Sequence, residues 1–363
     1  MSEVVFPGFQ VQPGYTIVYD DGFPRTFKNF HICKNEKNKT FLTDLQNIFK
    51  VISTKQGPVA ILVEGTKIGP KSEYTVIDII GRGGYGNVYL VIDDDNNEWV
   101  IKVQRKSSGL VEEFYLKKVQ GILNVCEIKE CFVVKESHFT VMKKYDGTLS
   151  SLTQISSFDW CIVLQKLLIA LSKIHEKKIT HCDIKPENIF LKNGDPIMGD
   201  FGIADKIGNK GGLIFSWFYR HPDLMERFQD FPDVESACKS NVFNRNAQYD
   251  IWALATTLFH VITRKVLFKD CGEYQKKFFF NDEKQMLDAI NLQRETPGGI
   301  SHLVLTEIKI INLSGKKHYQ YVLISILNMM LNTQLNLSAN DILKILNDLL
   351  SDEKENYNLN SIL

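Results

Sequence analysis

The run His181-Cys182-Asp183-Ile184-Lys185-Pro186-Glu187-Asn188 places a carboxylate, an ammonium and an amide within six residues, directly after a long apolar helical pattern. Asp183 can orient an incoming hydroxyl and accept its proton. Lys185 can neutralise charge on a transferring phosphoryl group, and Asn188 can hold a metal ion. Asp200-Phe201-Gly202 follows twelve residues beyond Asn188, after the turn-rich stretch IFLKNGDPIMGD, which reads as a hairpin. A second carboxylate there complements Asn188, and a pair of oxygen donors favours Mg2+. A DFG triplet alone is common by chance; in this order and spacing it is not.

Upstream, Gly81-Arg82-Gly83-Gly84-Tyr85-Gly86-Asn87-Val88 fits GxGxxGxV. In dinucleotide-binding folds the last glycine opens a helix, whereas here NVYLVID continues as a strand, so these glycines sit in a hairpin turn. Such a loop lets backbone N–H groups close over phosphates without a Cβ in the way. Lys102, in WVIKV, lies sixteen residues after Gly86 at the end of a strand run. A lysine inside an apolar strand is costly unless its charge is paired. Phosphate oxygens and a helix carboxylate would both serve, and Glu112 or Glu113, heading LVEEFYLKKV, is placed to supply the carboxylate.

Two kinds of element have to carry these groups. From Tyr74, the runs TVIDII, NVYLVID, EWVIKVQ, CFVVK and FTVMKK read as antiparallel strands interrupted by one helix, LVEEFYLKKVQGIL. After Gly147, WCIVLQKLLIALSKIH, IWALATTLFHVIT and YVLISILNMML have the apolar texture of buried helices. A strand-rich part followed by a larger helical part is an α+β arrangement. Residues 1–73 read as an extension with short β-like runs (VVFPGFQV, YTIVYDD, VAILVEG), an amphipathic helix around FLTDLQNIFKVI and an exposed turn at KNEKNKT. After about residue 350, SDEKENYNLN reads as a polar tail. A net charge of zero gives no reason to expect nucleic acid or an anionic membrane as partner. Seven cysteines, odd in number and without a CxxC pair, suit reduced thiols better than a disulfide framework or a zinc site. Neither a signal peptide nor a membrane span is seen, so the expectation is a soluble cytoplasmic protein, with the nucleus or a host-cell cytosol as variants.

The ordered set of glycine loop, Lys102, helix glutamate, HCDIKPEN, DFG, WFYRHPDL and YDIWALA resembles the eukaryotic-type protein kinase family across roughly residues 74–350. The resemblance implies a bilobal fold, with a small antiparallel N-lobe over 74–146, a helical C-lobe over 147–350, and ATP and Mg2+ in use. It implies that Lys102 pairs the nucleotide phosphates and Glu112, counted back four from Leu116, with Glu113 as runner-up. It further implies Asp183 as catalytic aspartate, Lys185 beside it, Asn188 and Asp200 as metal ligands, and the glycine loop 81–88 over the phosphates. Val88, Val100 and Phe190 would line an adenine slot, Met142 would stand at its rear, and Lys143 to Asp146 would form the hinge. Asp250 looks like the buried helix aspartate that braces the 181–188 backbone. Lys185 two residues after the aspartate, and Ser216 seven before Asp223, point to serine or threonine of a protein substrate as acceptor.

Departures from the family pattern sharpen the expectations. Cys182 stands where an arginine that receives an activating phosphate is usual, and HCD followed by KPEN resembles the dual-specificity tyrosine-regulated kinases. Asp223 stands where a glutamate usually meets an arginine; Asn336 falls at that arginine's place, so a hydrogen bond between Asp223 and Asn336 is expected. Residues 225–248 form a longer connection than usual, a docking loop or mere elaboration. The rival readings are a pseudokinase used as a binding module and a phosphotransferase acting on a small molecule. Loss of Lys102, Asp183, Asn188 or Asp200 would favour the pseudokinase, and all four are present.

Overall fold

The β-branched runs of the first half pair into a continuous antiparallel sheet in the computed structural model. It describes residues 18–20, 23–25, 49–54, 57–62, 64–83, 86–152, 155–214, 216–267, 304, 306–308, 311 and 313–351. Two compact units are present. One reaches to Lys117 and takes in Cys126–Lys144; the other holds Lys118–Val125 and continues from Tyr145.

In the first unit, strand β1 (Val18–Asp20) pairs with β2 (Phe23–Arg25), and β3 (Phe49–Thr54) with β4 (Gly57–Leu62). Strands β5 (Lys67–Ile68), β6 (Tyr74–Gly83), β7 (Gly86–Asp93), β8 (Glu98–Arg105), β9 (Ile128–Val134) and β10 (Ser137–Lys143) form a six-stranded sheet in the order β5-β6-β7-β8-β10-β9. Helix α1 (Lys106–Val119) joins β8 to β9, starting four residues before the helical run read from the sequence. Side chains alternate between the two faces of a strand. Ile101 and Val103 therefore point one way, into a core with Val76, Tyr89, Val91, Phe139 and Val141, while Val100 and Lys102 point the other way. One expectation fails here. The amphipathic helix placed around residues 41–52 ends in strand β3, because Phe49–Thr54 pairs residue for residue with Gly57–Leu62 and its Val51, Ile52 and Thr54 are β-branched. The runs at 4–11 and 34–40 lie outside the described residues.

The second unit opens with β11 (Gly147–Thr148), which pairs with the hairpin of β13 (Ile189–Lys192) and β14 (Asp195–Met198). Helix α2 (Ser157–Glu176) starts in a capping box between Ser156 and Asp159 and buries Trp160, Leu164, Leu167, Leu168, Leu171 and Ile174. Strand β12 (Ile179–Thr180) then pairs with β15 (Asp205–Lys206), and β16 (Lys210–Gly211) with β17 (Phe243–Asn244). Among the described residues, helices α3 (Pro222–Phe228), α4 (Val234–Lys239), α5 (Ala247–Thr263), α6 (Lys317–Leu331) and α7 (Ala339–Ser351) follow. From Ile251 to Phe259 α5 is apolar but for Thr256 and Thr257 and is buried on every side, Thr256 turning its hydroxyl back to the Trp252 and Ala253 carbonyls. An antiparallel sheet with one helix and a mainly helical second unit make the fold α+β, as the sequence pattern indicates. No helix among the described residues is long and apolar enough to cross a membrane.

Candidate active site

Helix α2 and strand β12 carry the chain into the 181–188 run, where Cys182 adopts a left-handed backbone (φ 67°) and is fully buried. A non-glycine residue in that conformation needs its surroundings to hold it. Asp250, in the first turn of α5, supplies the hold. Its Oδ2 accepts from the backbone N–H of His181 (2.8 Å) and the Thr180 hydroxyl (2.8 Å) and meets His175 Nε2 at 2.9 Å; its Oδ1 accepts from the N–H of Cys182 (2.9 Å). Burial on its own pushes the Asp250 carboxyl up, but the His175 hydrogen bond, the charges of His175 and His181 and the backbone donor hold it below the usual carboxylate value.

With the backbone set, three donors converge on Asp183, which is 6% exposed. Ser216 donates to Oδ1 at 2.6 Å, while Lys185 Nζ (2.7 Å) and Asn188 Nδ2 (2.8 Å) reach Oδ2. Lys185 also donates to Ser216 Oγ at 3.0 Å, closing a triangle of carboxylate, ammonium and hydroxyl. Asn188 spends its other amide hydrogen on the Asp183 carbonyl (2.8 Å). Its Oδ1 takes no hydrogen bond from any described residue and so keeps lone pairs for a cation. Gly199 N–H donates to the Asn188 carbonyl at 2.9 Å, and Asp200, half-buried with φ 58°, follows at once. A carboxamide oxygen and a carboxylate are the kind of donor that suits a hard cation such as Mg2+. Phe201, fully buried, rests its ring 4.6 Å from that of His181, whose Nε2 meets the Gly199 carbonyl at 2.9 Å.

In the first unit Lys102 Nζ lies 2.8 and 3.0 Å from the two oxygens of Glu112, with the side chains only 10% and 1% exposed. Burial decides how much the pair matters: an exposed pair contributes under ~1 kcal/mol, whereas removing one partner of a buried pair costs roughly 3–5 kcal/mol. Glu113 turns elsewhere, to Lys117 and to His138 Nε2 at 2.6 Å. Cys131 joins Glu113 and His138 in a group whose donor atoms all lie within 4.8 Å. Lys117 already neutralises Glu113, and the Cys131 thiol is pushed up to about 11, by burial first and the Glu113 charge second. That cluster fits the hydrogen-bonded seat of α1 better than a cation site. Cross-strand register puts Val88 opposite Lys102, and Met142 opposite Val100, so all four share one face. Asn87 is buried, while Arg82 is exposed at the loop. At Gly86 (φ 158°) a Cβ would come within 2.2 Å of the Val103 carbonyl, so only glycine passes there. Gly81 and Gly83 lie in β6, paired with Val88 and Gly86 of β7, and Gly84 and Tyr85 lie outside the described residues.

Phe190 belongs to the second unit, where its ring stacks on Tyr145 with centroids 5.3 Å apart. Asp146 accepts from the Asn193 N–H at 2.7 Å. The expected bond between Asp223 and Asn336 does not form. Asp223 sits in the first turn of α3, its side chain about half exposed, and its backbone N–H donates to the capping His221 Nδ1 at 3.2 Å. Sequence reasoning also missed His175, His138 and Arg245. His175 had a faint signal, as a polar residue beside the buried stripe in the last turn of α2. The partners of His138 and Arg245 are 25 and 40 residues away, and nothing local announces them.

A family model described as Protein kinase domain matches residues 74–353. Among curated proteins the chain is similar to CTD kinase subunit alpha of Saccharomyces cerevisiae, 25% identical over 243 residues that cover 62% of this chain and 43% of that protein. Dual specificity tyrosine-phosphorylation-regulated kinase 3 of Rattus norvegicus is 27% identical over 212 residues, 54% of this chain and 34% of its own length. Serine/threonine-protein kinase Nek5 of Homo sapiens is 30% identical over 220 residues, 53% and 28% of the two chains. The matches thus span less than half the length of each of these relatives.

Proposed function

The chain belongs to the protein kinase family, and from that premise we propose that it transfers the γ-phosphate of ATP to serine or threonine hydroxyls of a protein substrate, with residues 74–350 as the catalytic domain. The observation that carries this reading is the triangle of Asp183, Lys185 and Ser216. It presents a fixed carboxylate oxygen to an incoming hydroxyl with an ammonium beside it. Asp183 orients the acceptor hydroxyl and takes its proton as the new oxygen–phosphorus bond forms; the bond to the bridging oxygen breaks and ADP departs. Lys185 balances the charge that collects on the transferring group. Lys102, held by Glu112, binds the nucleotide phosphates, and the loop 81–88 covers them with backbone N–H groups. Val88, Val100, Met142 and Phe190 supply apolar contacts to the base. Asn188 and Asp200 hold Mg2+, which when bound supplies positive charge beside the phosphates.

Labelled ATP and generic protein substrates, followed by phosphoamino-acid analysis, test the reading. Label on serine and threonine is expected; label on no protein at all would favour a binding module. Asp183→Asn should abolish transfer while nucleotide affinity stays nearly intact, because positioning rather than binding is lost. A variant keeping more than about a tenth of the wild-type kcat, a barrier change below ~1.4 kcal/mol, would overturn the role given to Asp183.

A further inference from the structure

We propose that Arg245, from the long connection 225–248, is a positioning residue: it clamps the segment leading to Ser216 through Asp205, so that this segment is set without a phosphate. The guanidinium is almost fully buried, its side chain 5% exposed, and a buried cation persists only when it is paired. Its partners all belong to the segment after Gly202 or to β17. Nε donates to Asp205 Oδ2 at 3.1 Å, Nη2 to the Gly212 carbonyl at 3.1 Å, and Nη1 to the Phe243 carbonyl at 3.4 Å. The main chain of Arg245 adds two more ties. Its N–H donates to the Asn209 carbonyl and its carbonyl accepts from the Gly208 N–H, each at 2.8 Å.

Asp205 is the other half of the clamp. It pairs with Thr180 across β12 and β15, two residues before Cys182, and its second oxygen accepts from Lys206 N–H and Asn209 Nδ2. Further along, β16 pairs with β17, and Leu213 N–H donates to the Ala237 carbonyl at 3.0 Å. At Gly212 a Cβ would fall 1.7 Å from the Cys238 carbonyl, so the connection and the segment are in backbone contact there. Cys182, Leu213, Leu224, Ala237, Phe243 and Tyr249 form one apolar cluster beneath this contact. A phosphate has no obvious place in the arrangement. Between residues 203 and 222 the only hydroxyls are Ser216 and Tyr219. Ser216 is engaged by Asp183 and Lys185, while Tyr219 is 7% exposed and meets His260 Nδ1 at 2.7 Å. A carboxylate of the segment itself thus does the work of an added anion, and an arginine of the connection receives it.

The rate readout rests on the proposed phosphotransfer; a second readout does not. The full chain, treated with phosphatase and shown by intact mass to carry no phosphate on 203–222, should keep its rate. Arg245→Gln and Asp205→Asn should each lower kcat on a protein substrate on the order of tenfold, with the KM for ATP within about twofold. The double variant should be no slower than either single, since both remove one interaction, and Arg245→Lys should restore part of the rate. Trypsin should cut after Lys206 and Lys210 faster in Arg245→Gln than in wild type, at a temperature where circular dichroism shows both folded. Additive losses in the double variant, unchanged rate and trypsin resistance in Arg245→Gln, or a large loss of rate with removal of a phosphate would each overturn the proposal. If wild type transfers no phosphate, the proposed function fails, and the trypsin comparison still decides the clamp.

Discussion

Asp250 shows how one buried charge sets the backbone on which the candidate chemistry depends. Its two oxygens gather two main-chain N–H groups, a hydroxyl and a histidine, so ionised carboxylate and folded loop stabilise each other. Because its folded-state pKa lies below the ordinary 3.8 despite burial, its contribution is present above that value and is lost as pH falls through the lowered one. The expected outcome is that Asp250→Asn lowers the unfolding midpoint at neutral pH and flattens its decline in acid. Midpoints measured across the acid range for both proteins test this; parallel curves would show that another carboxylate carries the acid sensitivity. The residues of the 181–188 run could be read from the sequence because they are contiguous. His175, which shares the Asp250 charge, could not, because its contact joins positions 75 residues apart.

At the scale of elements, α1 depends on a close approach that its sequence does not advertise. Gly109 lies against His138, where a Cβ would meet the histidine Cβ and Cγ at 2.3 Å. Four residues on, Glu113 bonds to the same histidine, and Glu112 beside it meets Lys102. Helix propensity alone predicts that Gly109→Ala stabilises by up to ~1 kcal/mol. Overpacking a filled site costs typically ~1–3 kcal/mol, so the steric term wins and the sign reverses. Gly109→Ala is therefore expected to lower both the unfolding midpoint and kcat, the latter through a displaced Glu112. A stabilised, fully active variant would show that α1 has room to spare. The strands around the helix were legible from β-branched runs and turn residues. The misread stretch at 49–52 failed because three apolar positions, Phe49, Val51 and Ile52, fit either period, and pairing with β4 decided between them.

At the scale of the molecule the proposed machinery is divided. Lys102 and Glu112 belong to one unit, and Asp183, Lys185, Asn188 and Asp200 to the other. Ligand binding stabilises the folded chain by mass action, so thermal unfolding reports on the proposed metal site directly. ATP with Mg2+ should raise the unfolding midpoint more than ATP alone, and Asp200→Ala should remove the difference. Equal shifts with and without the metal in wild type would argue for a metal-independent nucleotide-binding module.

The sequence by itself determined the α+β class, the family resemblance and the groups capable of chemistry, because these are written in local periodicity and in short ordered runs. Which carboxylate meets Lys102 is a different kind of fact: Glu112 and Glu113 are adjacent and alike, and only the packing of α1 on the sheet points one to the lysine and the other to His138. The same holds for Asp223, whose place in the first turn of α3 puts its N–H on the capping His221 and leaves the expected bond to Asn336 unmade. Arg245 is the clearest case, since a guanidinium 40 residues from its carboxylate finds it only when β17 lies along β16. Long-range side-chain pairing is a product of tertiary packing, and local sequence carries almost no record of it.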